Sequence, residues 1–157
     1  MLRLGLTLAV LVVVLDQILK SVMLDLLPEP GVAVTVTGFF NLVHVFNPGV
    51  SFGLLPNIGP FILSGFALVV SAILAVWLAR AETRLLAIAL GLTIGGAIGN
   101  VIDRLRFHAV FDFLDFHVLG WHWPAFNLAD AAISVGVAGL LLTSLLSEPR
   151  ETKVDES

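Results

Sequence analysis

Asp112 and Asp115 stand in the run VFDFLDF, residues 110–116, where every other residue is aromatic or aliphatic. A carboxylate in apolar surroundings is costly, and acids in or beside a membrane span are functional candidates. Three more aspartates occupy strongly apolar stretches: Asp16, Asp103 and Asp130. Two aspartates that share a proton can hydrolyse an amide with neither a metal nor a nucleophilic side chain. One takes a proton from water while the other, protonated, donates to the carbonyl oxygen. Close like charges and apolar surroundings both raise one pKa of such a pair. Asp130 sits at the mouth of an apolar segment. Its partner could be Asp103, or an aspartate delivered by the VFDFLDF run. On a helix Asp112 and Asp115 share a face, whereas on a strand their odd spacing puts them on opposite faces. Spacing leaves that choice open.

Other chemistries find less support. The chain has no cysteine, which excludes disulfides, thiolate catalysis and thiolate zinc sites and means the chain cannot itself carry a cysteine-linked lipid. His44, His108, His117 and His122 show no H-E-x-x-H or comparable metal spacing, so they read as interfacial residues, and no metal or cofactor is expected. Ser64, Ser71 and Ser134 lie in apolar segments that hold no histidine to activate them.

The elements that must position these acids are membrane spans. The 157 residues are 58% hydrophobic and 13% charged, with a mean hydropathy of +1.02, whereas an average soluble domain is about 25% charged. A net charge of −4 argues against a nucleic-acid partner, which requires clustered Lys and Arg. Four apolar stretches, about 4–24, 58–79, 85–103 and 128–146, are long enough to cross a bilayer. The expectation is an all-α membrane bundle of four transmembrane helices in a single integral domain, 1–147, with a polar cytoplasmic tail at 148–157. The first stretch resembles a signal peptide, but no small-residue cleavage site follows it and the run continues through Asp16, Gln17 and Lys20, so it reads as a retained span.

Arg3, Arg80, Arg84, Arg150 and Lys153 lie at the amino terminus, the short second loop and the tail, and the 25–57 loop has no Lys or Arg. This distribution puts both termini in the cytoplasm and the 25–57 and 104–127 loops outside. Arg104 and Arg106 fall on the wrong side, which implies local work. Within the first outer loop, VAVTVT at 32–37 alternates as a half-buried strand does. The apolar run Phe39 to Phe46 follows it, so a small extracytoplasmic β-sheet lying on the membrane is expected. Most of the aromatics of the third loop (Phe107, Phe111, Phe113, Phe116, Trp121, Trp123 and Phe126) read as an interfacial belt.

Polar residues converge on one level. Asp16 lies 12 residues beyond Leu4, about 18 Å in at 1.5 Å per residue, and Lys20 lies one turn further along the same face. Asn100 and Asp103 lie 16 and 19 residues beyond Arg84, about 24 and 28 Å from the inner side. Asn127 and Asp130 open the fourth helix, and Asn47 ends the first outer loop. All of them land in the outer half of the membrane or just above it, which implies a single site. Each also has a structural reading: an i,i+4 pair for Asp16 and Lys20, and an N-cap at Asn127 with Asp130 at N3. Asn100, Asp103 and Arg104 share a face that suits a buried ion pair. Gly91, Gly95, Gly96 and Gly99 read as helix-packing contacts rather than a phosphate loop.

The convergent residues carry a family resemblance. DQILK at 16–20, NPGVSF at 47–52, GGAIGNVIDR at 95–104, VFDF at 110–113 and FNLAD at 126–130 resemble, in order and spacing, the lipoprotein signal peptidases, or signal peptidase II. The resemblance implies a four-helix membrane enzyme with an extracytoplasmic β-cradle and a loop over the site. It implies aspartic endopeptidase cleavage of diacylglyceryl-modified bacterial prolipoproteins just before the lipidated cysteine, without a cofactor, in the bacterial inner membrane. By motif, the catalytic dyad falls on Asp112 and Asp130, with Asp115 facing the interface and Asp103 a structural acid paired with Arg104. Asn47, Gly49, Asn100, Arg104 and Asn127 become substrate-contacting or site-shaping positions, supported by Asp16 and Lys20. The competing class is a small proton-coupled carrier or assembly subunit, which usually places its site near the midplane and often shows internal repeats. The polar level here lies outward of the midplane, and no repeat is visible.

Overall fold

The structure, a computed structural model, describes residues 1–27, 29–49 and 59–146. The expected tail at 148–157, and residues 50–52 of the NPGVSF motif, lie outside the described residues. The chain runs α1 (Leu2–Leu26), β1 (Ala33–Thr37), β2 (Phe40–Asn47), α2 (Pro60–Ala79), α3 (Arg84–Phe107), β3 (Val110–Val118), β4 (Trp121–His122) and α4 (Leu128–Leu146). All four helices are long and apolar enough to cross a membrane, as continuous runs of Leu, Ile, Val and Ala require.

Local signals set the helix ends. Pro60 opens α2 at a position where its missing N–H costs nothing. The Thr83 hydroxyl accepts from Leu86 N to cap α3. Helix α3 runs a turn further than the sequence alone marks, to Phe107, and ends where His108 turns left-handed at φ 59°. Arg104 and Arg106 stand in that last turn, where cations complement the carbonyl end of a helix.

Helix α3 is the centre of the bundle and is buried over most of its length, while the other three expose most of their surface. Its small residues let backbones touch. A Cβ on Gly91 would stand 2.5 Å from Gly5 O in α1, and one on Gly96 would stand 2.3 Å from Ala129 O in α4. Both are impossible contacts, so the packing reading of these glycines holds. Below the polar level the helices meet through Ala9, Leu78, Ala87, Leu90 and Ile94.

The strands form one antiparallel sheet in the order β1-β2-β3-β4. The 104–127 segment is therefore largely not a loop: its aromatic, β-prone residues pair with β2. The register sets Asn41 opposite Asp115 and Val45 opposite Asp112, with an irregularity between Leu42 and Val45. Two sequence expectations change here. All five β1 residues are exposed rather than half-buried, because β1 is an edge strand paired only with β2. Phe111 and Phe113 are buried rather than interfacial, since the start of β3 packs against α1 and α3.

The glycine contacts make a direct prediction. Gly96→Ala should lower the thermal midpoint in detergent, costing about 1–3 kcal/mol as an overpacked site does. Gly65→Ala, whose new methyl would meet nothing within 4 Å, should be neutral or slightly stabilising. Equal midpoints for the two variants would contradict the α3–α4 contact.

Candidate active site

The site begins with a buried cation. Lys20 Nζ lies 2.8 Å from Asp16 Oδ2 and 2.8 Å from Asp103 Oδ2. Lys20 is 2% exposed, and Asp16 and Asp103 are both 0% exposed. Paired charges at such a place need every remaining lone pair satisfied. Asp16 Oδ1 accepts from Ala129 N in the first turn of α4 at 2.9 Å. Asp103 Oδ2 accepts from Phe111 N at 3.1 Å. Gln17 Nε2 donates to Asp103 Oδ1 at 3.0 Å and to Asp16 Oδ2 at 3.2 Å. Gly99 is required beside them, since a Cβ there would stand 2.8 Å from Asp16 Oδ2.

Asn100 links this cluster to the other acids. Its Oδ1 accepts from Lys20 Nζ and from Asn127 Nδ2, each at 3.3 Å. That leaves Nδ2 to donate to Asp130 Oδ1 at 2.8 Å. Asn127 and Asp130 form a reciprocal cap on α4: Asp130 N donates to Asn127 Oδ1 at 2.9 Å, and Asn127 N to Asp130 Oδ2 at 3.4 Å. Asn127 Nδ2 also donates to Asp112 Oδ1 at 2.8 Å, so one amide residue touches both Asp112 and Asp130. Asn47 Nδ2 reaches Asp112 Oδ2 at 3.4 Å, and Asn47 Oδ1 accepts from Gly49 N at 3.1 Å. Asp112 is 1% exposed. Burial, and then the neighbouring charge of Asp130, push its carboxyl up to about 7. A carboxyl that holds its proton near neutrality beside a second carboxyl is what acid–base hydrolysis needs.

A groove of about 520 Å³ opens beside Asp130, lined by Trp123, Phe126, Ala131, Ile133, Ser134 and Val135 among others. A larger cavity of about 590 Å³ lies between Trp77, Arg80, Thr83 and Thr143, at the other end of the helices. The carboxylates, not the volume, mark the site.

Asp115 is held elsewhere. The strand alternation turns it away from Asp112, to where it accepts from Asn41 Nδ2 at 2.8 Å and meets His122 Nδ1 at 2.9 Å. Burial pushes its carboxyl up, but the Asn41 and His122 hydrogen bonds outweigh this and hold it below the usual carboxylate range. It is 6% exposed, a buried residue rather than one facing an interface. Its partners also revise the view of the histidines. His122 pairs with Asp115, His117 stacks on His122 at 4.9 Å, and His44 is buried with Nδ1 against Leu27 O. Among the described residues no group of His, Asp and Glu could hold a metal.

Arg104 needs a further correction. Asp103 pairs with Lys20 and not with Arg104, because neighbours on a helix do not face the same way. The Arg104 guanidinium instead donates to Gly49 O at 3.3 Å and to Asn100 O at 3.5 Å. Of the expected site residues, Asp16, Lys20, Asn47, Gly49, Asn100, Asp103, Arg104, Asp112, Asn127 and Asp130 are all joined in one network. Sequence reasoning missed Gln17, although a polar side chain inside an apolar span was signal enough, and Asn41, whose pairing no local pattern reveals.

The chain is similar to known proteins over almost its whole length. The family described as Signal peptidase (SPase) II matches residues 8–146. A lipoprotein signal peptidase of Methylobacterium sp. (strain 4-46) is 46% identical over 94% of this chain and 92% of its own. One of Rhodopseudomonas palustris (strain TIE-1) is 46% identical over 94% of each chain. A bacterial membrane enzyme solved in meso at 2.3 Å superposes with a TM-score of 0.82 and 27% identity, covering 96% of this chain and 93% of that one. With a family match across the membrane helices and relatives this similar over almost their whole length, the chain belongs to the signal peptidase II family.

Proposed function

We propose that this chain is an aspartic endopeptidase that removes signal peptides from diacylglyceryl-modified bacterial prolipoproteins, cutting just before the lipidated cysteine. The observation that carries the reading is the pair Asp112 and Asp130, two carboxyl groups joined through Asn127 beside an apolar groove. The enzyme sits in the cytoplasmic membrane with both termini inside and its site near the outer face. The absence of Lys and Arg from residues 25–57, against their presence around 80–84, supports that orientation. A substrate anchored by acyl chains and an apolar signal helix presents its scissile bond at this boundary.

In the mechanism, Asp130 is the base and Asp112 the acid. Asp130 lies in the first turn of α4, where negative charge is favoured, whereas Asp112 stands on a strand. It takes a proton from water as the water oxygen attacks the scissile carbonyl carbon. Asp112 gives its proton to the carbonyl oxygen, forming a neutral gem-diol. Asp112, now ionised, takes a proton from one diol hydroxyl as Asp130 delivers its own to the amide nitrogen. The C–N bond then breaks, leaving a carboxylic acid on the signal peptide and a free amine on the lipidated cysteine. Each acid ends where it began.

Asp112→Asn and Asp130→Asn should each abolish cleavage of a lipidated prolipoprotein in reconstituted vesicles while remaining folded, since an amide neither takes nor gives the proton. Asp115→Asn should retain substantial activity. A dead Asp115→Asn beside an active Asp112→Asn would reverse the assignment.

The reaction should also titrate. Asp112 must be protonated and Asp130 ionised to act, and the Asp112 carboxyl sits at about 7, so kcat/KM should fall as pH rises through that value and fall again at acid pH as Asp130 takes up a proton. A profile flat to pH ~9, two units above such a group, would exclude Asp112 as the acid.

Arg104 holds two carbonyls with one planar group, which a lysine ammonium cannot reproduce. Arg104→Lys should keep the four spans but lower the cleavage rate at least about tenfold, equivalent to ~1.4 kcal/mol in the barrier. Measuring rate and membrane insertion together tests this, and wild-type turnover would remove Arg104 from the site.

A further inference from the structure

The groove beside Asp130 does not end at Phe126. Trp123 and Phe126 also line a second, open cavity of about 370 Å³ on the sheet, together with Phe39, Phe116, His117 and Trp121. Its walls are ordered aromatic contacts. Phe116 stacks on Phe126 at 5.9 Å and on Phe39 at 6.5 Å, and Trp121 meets Trp123 edge-on at 5.9 Å. The volume falls in the range of small ligand pockets, about 300–1,000 Å³. Nothing in the hydrolytic step uses it.

The backbone beside this basin leads straight to the dyad. Residues 121–126 run along β3, with Trp123 N donating to Phe116 O at 2.8 Å, Phe126 N to Leu114 O at 3.0 Å and Leu114 N to Phe126 O at 2.9 Å. Asn127, which touches Asp112, comes next. This segment is the last in the sheet order, and an edge strand can be extended by an incoming peptide. The Asp115 carboxylate pins it from below, gripping His122 on β4 and Asn41 on β2.

We propose that this aromatic basin is a subsite for the mature side of the substrate. It takes an aromatic or branched aliphatic side chain from the first residues beyond the cleaved bond, with their backbone laid along the β4 edge. The inference rests on the peptidase reading above. A peptide suits the edge better than an acyl chain does, because only a peptide carries backbone groups for it to meet. The Asp130 groove, lined along α4 by Ala131, Ile133, Ser134 and Val135, is left for the lipid-bearing residue.

The test uses lipidated prolipoprotein peptides in which one Phe is moved through the second, third and fourth positions after the cysteine, against an all-glycine parent. At one position Phe should raise kcat/KM at least about fivefold over glycine, mainly through KM, as an apolar pocket discriminates. Trp121→Ala and Phe39→Ala, both at exposed side chains, should each bring that ratio close to one, while Trp121→Phe should keep most of it. A wild-type enzyme that does not discriminate, or a ratio unchanged in both alanine variants, would overturn the subsite. So would an equal fall on every substrate, which would mark the patch as a membrane-seating surface. Failure of the wild-type enzyme to cut the glycine parent before the lipidated cysteine would instead overturn the peptidase reading, and the subsite with it.

Discussion

Lys20 brings its charge to a place almost without water, and the surrounding structure is arranged to accommodate it. Removing an ion from water costs several kcal/mol even after relaxation, and only close partners with satisfied lone pairs offset that. Here one ammonium meets two carboxylates, on α1 and α3. Those carboxylates in turn accept from the first turn of α4 and from the backbone of β3. Four segments distant in sequence are thereby tied to one point. Both aspartates of the proposed dyad are borne on two of those segments, β3 and α4. The excess negative charge of the cluster is met by the amide end of α4, where the helix field is positive.

Carboxamides carry this arrangement to the reacting groups. Asn100 and Asn127 are each committed on their oxygen side, Asn100 to Lys20 and Asn127 to Asp130 N. Their nitrogens therefore point at Asp130 and Asp112 respectively. An amide orients a carboxyl group without neutralising it. A lysine or arginine in the same place would hold Asp112 ionised and remove the acid from an acid–base pair.

Much of this was legible in the sequence. The four helices agree with the apolar runs to within a few residues, because a bilayer demands length and apolarity that no local signal can overrule. The Asn127–Asp130 cap could also be read directly, since a helix start depends on residues three apart. What escaped was facing. Asp103 and Arg104 are adjacent in the chain yet point to different partners, Lys20 and Gly49, because successive helical side chains diverge around the axis. Asp115 read as facing the interface until β2 placed Asn41 opposite it. Likewise Phe111 is buried by helices that no strand pattern can reveal. Long-range pairing sets each of these.

The glycine contacts along α3 have a consequence for the cell's energy supply. A membrane hydrolase that brings water to protonatable groups risks becoming a proton conductor. Here backbone meets backbone at Gly5 and Gly91, and at Gly95 and Ala9, on the side of the polar cluster away from the dyad. Helices in such contact leave no room between them for a file of water molecules. On the proposed orientation, the α1–α3 seam is thereby closed to protons exchanged by the aspartates.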